Sequence, residues 1–139
     1  MALPKPEAGL VISYGYLWRR EHERGQVEGL KHRPCVIILA VERSDGETLV
    51  TVSPVTHSLP DAHTPAFELP PRVKAHLGLD AERSWVVLNE INQFNWPGFD
   101  ILPLTGGGYG FLPPKLFGQI KDSIVAQAAA YNLKITKRD

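Results

Sequence analysis

Two apolar runs near the middle of the chain form its clearest pattern of hydrophobic and polar positions. Residues 35–41 follow a basic triplet and a proline, and they are nearly all apolar and mostly β-branched, as in a buried strand. A second such run, residues 49–58, follows a turn that contains the hairpin-favouring pair Asp45-Gly46. This hairpin predicts that Arg33, at the start of one strand, lies near Thr56, at the end of the other.

Shorter patterns flank the hairpin on both sides. Residues 9–18, 66–69, 84–94 and 101–104 are predicted strands, residues 19–29 a charged loop and residues 105–110 a flexible segment. Residues 70–78 predict a short helix, because proline stands in its first turn and glycine just past its end. A long helix is predicted over residues 113–132, where apolar residues recur at steps of one, three or four.

About five to seven short strands with a short internal helix and a C-terminal helix predict a mainly β fold. Such a fold would be a small, strongly bent sheet or barrel. We expect one domain over residues 1–139, with residues 1–8 as an extended leader, because this length suits a single core.

The composition is that of an ordinary globular protein and excludes few classes of function. The formal net charge is zero, so overall charge argues neither for nor against nucleic acid. The single cysteine, Cys35, lies in an apolar run, which excludes a disulfide within the chain and suits a reducing cytosol. No secretory signal or membrane-spanning run is present, so we expect a cytoplasmic protein without a membrane partner.

The residues whose side chains could take part in catalysis cluster where the first central strand begins and the second central strand ends. An arginine there can bind a phosphate through two hydrogen bonds, a threonine hydroxyl can bond a phosphoryl oxygen, and histidine can move protons near neutral pH. These functions suit cleavage of a phosphodiester by an adjacent 2′-hydroxyl without a metal. The candidates are Arg33, Thr56, His57 and Ser58, with His32 beside them.

Each candidate also has an ordinary structural interpretation. Arg33 is equally well explained as a surface cation beside a strand. Thr56 and Ser58 fit a turn with local backbone bonds, and His57 fits a solvated loop.

Metal and cofactor signatures are missing from the sequence, whereas aromatic residues beside basic ones are present. The five histidines lack paired ligand spacing, and the glycine run 106–108 lacks the lysine of a phosphate-binding loop, so we predict no metal and no cofactor. Trp18, which adjoins Arg19 and Arg20, and the later Trp96 are candidates to stack on single-stranded nucleic acid. Core packing explains each aromatic residue equally well.

Two short motifs at this spacing resemble the MazF/PemK-like toxins of bacterial type II toxin–antitoxin systems. One is His32-Arg33-Pro34 leading into an apolar strand, and the other is the Pro-x-Thr-x-Ser run at residues 54–58. The run from residue 76 to residue 98 is similar to a PemK-like subgroup. The resemblance covers about residues 9–132 and implies an SH3-like barrel, usually a homodimer.

The same resemblance implies an activity, partners and site residues. The activity is endoribonuclease cleavage of single-stranded RNA at a short sequence, which leaves a 2′,3′-cyclic phosphate, and the expected partner is an antitoxin that blocks the RNA groove. The family's arginine falls on Arg33 and its threonine on Thr56. Arg33 suits phosphate stabilisation better than proton abstraction, because the pKa of arginine exceeds about 12.

This chain departs from the family at a later acid, which is displaced by one position to Glu90 and has no arginine beside it. His57 and Glu90 are therefore both candidates for proton transfer. The candidate RNA-binding residues are Trp18, Arg19, Arg20, Arg24, Lys31, His32, Ser58, Asn92 and Trp96.

Two other hypotheses use the same fold. A non-catalytic regulator would bind nucleic acid or peptide without cutting it, since fold alone does not determine function. A toxin directed at gyrase is the other, and the pair Arg33 and Thr56 argues against it.

Overall fold

The computed structural model describes residues 3–29, 31–98, 100–102 and 109–138. These ranges contain nine strands and three helices, which confirms the predicted mainly β fold with a short internal helix and a longer later helix. In chain order they are β1 (Leu10–Tyr14), α1 (Arg19–Glu23), β2 (Arg33–Glu42), β3 (Thr48–Thr56), β4 (Ala66–Glu68), α2 (Pro71–Leu77), β5 (Trp85–Val87), β6 (Glu90–Trp96), β7 (Ile101–Leu102), β8 (Gly110–Phe111), α3 (Pro114–Ala129) and β9 (Lys134–Lys137).

Strand β3 is the centre of the sheet. It pairs with β2 on one side, and on the other side its first part pairs with β6 and its last two residues with β5. Strand β1 continues the sheet beyond β2 and carries β7 and β8, while β4 continues it beyond β5. The end strands β4 and β7 do not pair in the described ranges, so the sheet is open and the predicted closed barrel is not confirmed.

The predicted hairpin of β2 and β3 is confirmed. Its register pairs Cys35 with Pro54 and Val36 with Ser53, and a bulge after Ile37 shifts it by one residue. Continued by two residues beyond Cys35 and Pro54, the same antiparallel register brings the position of Arg33 opposite that of Thr56.

The two faces of the sheet bury different groups of side chains. Val36 and Ile38 face one cluster, which α2 and α3 cover through Leu77, Ile120 and neighbouring apolar residues. Cys35 and Ile37 alternate to the other face and join a cluster rich in aromatic residues. Burial raises the pKa of the Cys35 thiol, so this cysteine stays protonated and serves as packing.

Several predicted boundaries differ from the structure. Residues 84–94 form two strands, because the chain leaves β5 after Val87 and enters β6 at Glu90 to pair with another part of β3. The charged loop contains α1, and α3 ends at Ala129. Gly110 belongs to β8, while residues 103–108 of the predicted edge strand and flexible segment lie outside the described ranges.

The chain beyond α3 forms a strand instead of a longer helix. Strand β9 runs parallel to β6, and Arg138 follows it into the interior, where its side chain is 3% exposed. The Arg138 guanidinium forms an ion pair with Asp100 and donates hydrogen bonds to the Tyr14 hydroxyl (3.1 Å), the Gly15 carbonyl (3.0 Å) and Asn92 Oδ1 (3.1 Å). Arg138 is therefore an internal link between distant segments.

Residues 3–7, within the predicted leader, have no regular secondary structure. None of the helices in the described ranges has the length and apolar character needed to cross a bilayer.

Candidate functional site

A cleft of about 540 Å³ opens at the end of the β2–β3 hairpin. We call it the first cleft. The hairpin brings Arg33 from one strand and Thr56 from the other to this cleft, as the sequence predicts. Its polar and aromatic lining comprises Trp18, Arg20, Lys31, His32, Arg33, Thr56, His57, Ser58, Asp80, Ser84 and Tyr109.

Arg33 is half-buried, with its guanidinium carbon 5.0 Å from the centroid of the Trp18 ring. Burial lowers the pKa of Arg33, although arginine remains charged at any physiological pH. Its Nε is buried and has no hydrogen-bond partner within the described ranges. Because Arg33 lines the first cleft, an anionic oxygen that enters the cleft can accept a charge-assisted hydrogen bond from the guanidinium.

Thr56 closes β3 beside Arg33. Its Oγ1 accepts a hydrogen bond from the backbone N–H of Ser58 at 3.1 Å, which fixes the turn that follows the strand. Because the hydroxyl oxygen is the acceptor there, the hydroxyl hydrogen remains able to donate to a ligand. The turn and the ligand-binding interpretations of Thr56 are therefore compatible.

His57 also lines the first cleft, but both its ring nitrogens contact the α2–β5 segment. Nδ1 lies 3.0 Å from the Arg83 carbonyl and 3.1 Å from Ser84 Oγ, and Nε2 lies 2.9 Å from Asp80 Oδ2. His32, in contrast, is an exposed residue of the same cleft. The cleft thus holds one histidine engaged by neighbouring groups and one that faces solvent.

A buried lysine supports the acidic part of the first cleft. Lys74 Nζ lies 2.9 Å from Asp80 Oδ1, and the Lys74 side chain is only 6% exposed. Hydrogen bonding from the Lys74 ammonium holds the pKa of Asp80 below its usual range. Asp80 is consequently a carboxylate near neutral pH, and it places a negative charge in a cleft that also contains basic residues.

A second cleft of about 360 Å³ adjoins the first and shares Trp18, Arg20, Thr56 and Ser58 with it. Its other polar lining residues are Arg19, Glu23, Asp61, Thr64, Asn89, Glu90 and Lys134. Since four residues belong to both clefts, the two form a continuous groove along the ends of β3 and α1. We call this combined feature the groove.

Glu90 lies in the second cleft rather than beside Arg33. Its Oε1 accepts hydrogen bonds from the Arg19 backbone N–H (2.7 Å) and the Tyr16 hydroxyl (3.2 Å). Burial raises the pKa of Glu90. The contacts with Arg19 and Tyr16 make Glu90 an anchor for the start of α1.

Trp18 is in the groove, but it is only 8% exposed. The Arg20 and Arg33 guanidinium carbons each lie 5.0 Å from its ring centroid. Trp18 therefore positions both guanidinium groups through cation–π contacts. Its predicted role in base stacking stays a prediction.

The basic candidates are distributed unevenly. Arg20, Lys31 and His32 line the first cleft, whereas Arg19 lines only the second and donates a hydrogen bond from Nη1 to the Ile135 carbonyl at 3.0 Å. Arg24 is exposed just past α1 and is not among the residues that line the groove.

Asn92 and Trp96 have structural surroundings. Asn92 is 0% exposed, and its side-chain amide bonds the backbone N–H and carbonyl of Leu17, each at 2.9 Å. Asn92 therefore cannot contact RNA in this structure, which corrects that prediction. Trp96 is half-buried, packs against Phe94 at 6.2 Å between ring centroids, and lies outside the groove.

Sequence reasoning missed the residues that the α2–β5 segment adds to the site. Asp80 and Ser84 line the first cleft, and Glu82 lies 3.6 Å from the His57 ring through its Oε2. The available signal was a cluster of polar residues directly after a short helix, but only the folded chain shows that this cluster faces His57.

Comparisons with known proteins do not identify the family. No protein-family model matches the chain, and no curated protein matches it at a significant level. The resemblance to the MazF/PemK-like toxins consequently rests on the two motifs at residues 32–34 and 54–58 and on the run from residue 76 to residue 98.

Proposed function

We propose that this protein is a metal-independent endoribonuclease that cleaves single-stranded RNA, and that it acts as the toxin of a type II toxin–antitoxin system. The observation that carries the proposal is the half-buried Arg33 guanidinium, because Arg33 lines the same cleft as Thr56. We further propose that the open sheet is a variant of the SH3-like barrel of the MazF/PemK-like toxins.

In the proposed reaction, the 2′-oxygen of a nucleotide attacks the adjacent phosphorus, and the bond from phosphorus to the 5′-oxygen breaks. Arg33 stabilises the charge of the pentacoordinate intermediate, and the Thr56 hydroxyl donates to a non-bridging oxygen. One group removes the 2′-hydroxyl proton, and another protonates the leaving 5′-oxygen. The products are a 2′,3′-cyclic phosphate and a 5′-hydroxyl.

The two histidines of the first cleft differ as proton-transfer groups. His57 faces hydrogen-bond acceptors at both ring nitrogens, so it would have to leave Asp80 or Arg83 to take up a proton from RNA. His32 is exposed beside Arg33, and we therefore assign it the larger part in proton transfer. His57 instead stabilises the first cleft through its contacts with the α2–β5 segment, and Glu90 anchors the start of α1.

The groove suits an extended single strand better than a compact ligand. Its two clefts share Arg20, and Lys31 in the first cleft and Arg19 in the second add positive charge. As parts of the same proposal, the protein is cytoplasmic, forms a homodimer, requires no cofactor and is inhibited by a short antitoxin that covers the groove.

The test is incubation of the purified protein with a long unstructured RNA in EDTA, followed by mapping of the cut ends. We expect cuts at a recurring short sequence that end in a cyclic phosphate, and we expect Arg33→Ala to abolish them. Arg72→Ala, which changes an exposed arginine of α2 outside the groove, is the matched control and should cut normally. Full cleavage by Arg33→Ala would refute the assigned mechanism.

A non-catalytic RNA-binding module is the second candidate. It is favoured by one observation, namely that the contacts of His57 and Glu90 leave these two proton-transfer candidates engaged inside the protein. This candidate predicts that the wild-type protein binds RNA in a salt-sensitive manner without cutting it. Uncut RNA that is bound by the wild type and released by Arg33→Ala would favour this module over the nuclease.

A further inference from the structure

A histidine and two carboxylates meet at the edge of the first cleft. His57 Nε2 lies 2.9 Å from Asp80 Oδ2 and 3.6 Å from Glu82 Oε2, and the three donor atoms all lie within 4.8 Å of one another. Zinc bonds to nitrogen and carboxylate oxygen of about 2.0–2.2 Å would put tetrahedral ligands roughly 3.3–3.5 Å apart. The two separations from His57 Nε2 are near this spacing, and side-chain movement would bring the two carboxylate oxygens to the same distance from each other.

The surroundings of His57 orient its ring for a ligand at Nε2. Nδ1 lies 3.0 Å from the Arg83 carbonyl and 3.1 Å from Ser84 Oγ. In the neutral tautomer that donates from Nδ1 to the carbonyl, the Nε2 lone pair points at the oxygens of Asp80 and Glu82. Lone pairs from three groups repel one another unless a proton or a metal ion lies between them. Metal-binding histidines commonly use this same bond from the other ring nitrogen to a backbone carbonyl.

Hydrogen bonds to one oxygen of the Asp80 carboxylate fix the orientation of the other. Its Oδ1 accepts hydrogen bonds from Lys74 Nζ at 2.9 Å and from the Glu82 backbone N–H at 3.1 Å. Because Oδ1 is engaged, Oδ2 is the oxygen that faces His57. The single positive charge of Lys74 offsets only one of the two carboxylates, which leaves a net negative charge to attract a divalent cation.

We propose that His57, Asp80 and Glu82 bind a divalent transition-metal ion of the zinc class, with water in the remaining coordination position. One imidazole and two carboxylates suit Zn²⁺ and Co²⁺, whereas Mg²⁺ and Ca²⁺ prefer oxygen ligands alone. The site is additional to the proposed nuclease chemistry, which uses no metal. It adjoins the first cleft because His57 and Asp80 belong to the cleft lining.

The experiment is titration of the metal-free protein with Zn²⁺ by calorimetry and with Co²⁺ by visible absorption. We expect one ion per chain and a Co²⁺ spectrum of low coordination number. Glu82→Gln and His57→Gln should each weaken binding at least about tenfold, since each removes one ligand. His76→Gln changes an exposed histidine of α2 outside the cluster and should bind as the wild type does.

Three outcomes would overturn the proposal. They are absence of stoichiometric binding by the wild type, wild-type affinity in both Glu82→Gln and His57→Gln, and an equal loss in His76→Gln. The first of these would mean that a proton alone fills the space beside His57 Nε2. Metal binding is measured by calorimetry and absorption, whereas RNA cleavage is measured in EDTA, so failure of either proposal leaves the other intact.

Discussion

Arg33 and Arg138 show how two similar side chains can be assigned different tasks. Each is at least half-buried, and each guanidinium carbon lies over an aromatic ring, 5.0 Å from Trp18 for Arg33 and 5.3 Å from Tyr14 for Arg138. Arg138 donates to a carboxylate, a side-chain amide, a hydroxyl and backbone carbonyls, whereas Arg33 has a buried Nε without a partner in the described ranges. Cation–π contact does not distinguish the two, but the use of hydrogen-bond donors does.

The largest expected effect is on stability, in Arg138→Ala. Removing one partner of a buried ion pair typically costs about 3–5 kcal/mol, because the remaining charge, here on Asp100, stays buried and unpaired. Denaturant unfolding should reveal this loss, whereas Arg33→Ala should change the free energy of unfolding by less than about 1 kcal/mol. Equal losses in the two variants would remove the distinction between them.

The second effect is on cleavage, in Arg33→Lys. Lysine keeps the charge but loses the planar fork and the position over the Trp18 ring, so we expect cleavage to fall by about 10²–10³-fold. The measurement is single-turnover cleavage of the mapped RNA, with the denaturation midpoint as the control for folding. Wild-type cleavage by Arg33→Lys would mean that Arg33 acts only as a point charge.

The third effect separates the two cleft histidines. His32→Gln should reduce cleavage by about 10²-fold, the usual size of a proton-transfer contribution, and His57→Gln by less than about tenfold. Rates should be measured from pH 5 to pH 9, because loss of a titrating group also changes the shape of the profile. The reverse order would return the proton-transfer role to His57.

The smallest effect concerns pH and Glu90. Burial raises the pKa of Glu90, so the folded state binds more protons than the unfolded state above about pH 4.3, where an unfolded glutamate titrates. The free energy of unfolding therefore falls as pH rises from there through the raised pKa. Glu90→Gln lacks this dependence, so its stability relative to the wild type should rise as the pH increases from 4 to 8. A difference in the free energy of unfolding between Glu90→Gln and the wild type that stays constant from pH 4 to pH 8 would contradict a raised pKa for Glu90.

Local signals in the sequence predicted the elements that depend on neighbouring residues. The hairpin followed from two apolar runs around Asp45-Gly46, and α2 followed from proline at its start and Gly78 at its end, where φ is 72°. Because the hairpin defines the first cleft, the meeting of Arg33 and Thr56 could also be predicted. Glycine and proline act on the backbone through their own covalent structure, so their effect can be predicted from the sequence alone.

Features that depend on distant segments could not be predicted in this way. The burial of Asn92 requires Leu17, the covering of Trp18 requires Arg33, and strand β9 requires an unpaired edge of β6. A polar residue at the end of an apolar run has the same local pattern whether it faces solvent or another segment. The sequence therefore identified the candidate residues, but not which of them form hydrogen bonds or packing contacts within the folded protein.

Strand β9 and the hairpin should also differ in hydrogen exchange. The β2–β3 ladder joins residues close along the chain through long, buried strands, whereas β9 is four residues long and pairs with one strand, β6, in the described ranges. Local opening favours short edge elements with few buried contacts. Amide protons of β9 should thus exchange through local opening, whereas those of the hairpin should exchange through global unfolding. Release of β9 would loosen α1 through Arg19, whose Nη1 bonds the Ile135 carbonyl, and would leave the Arg33–Thr56 hairpin paired.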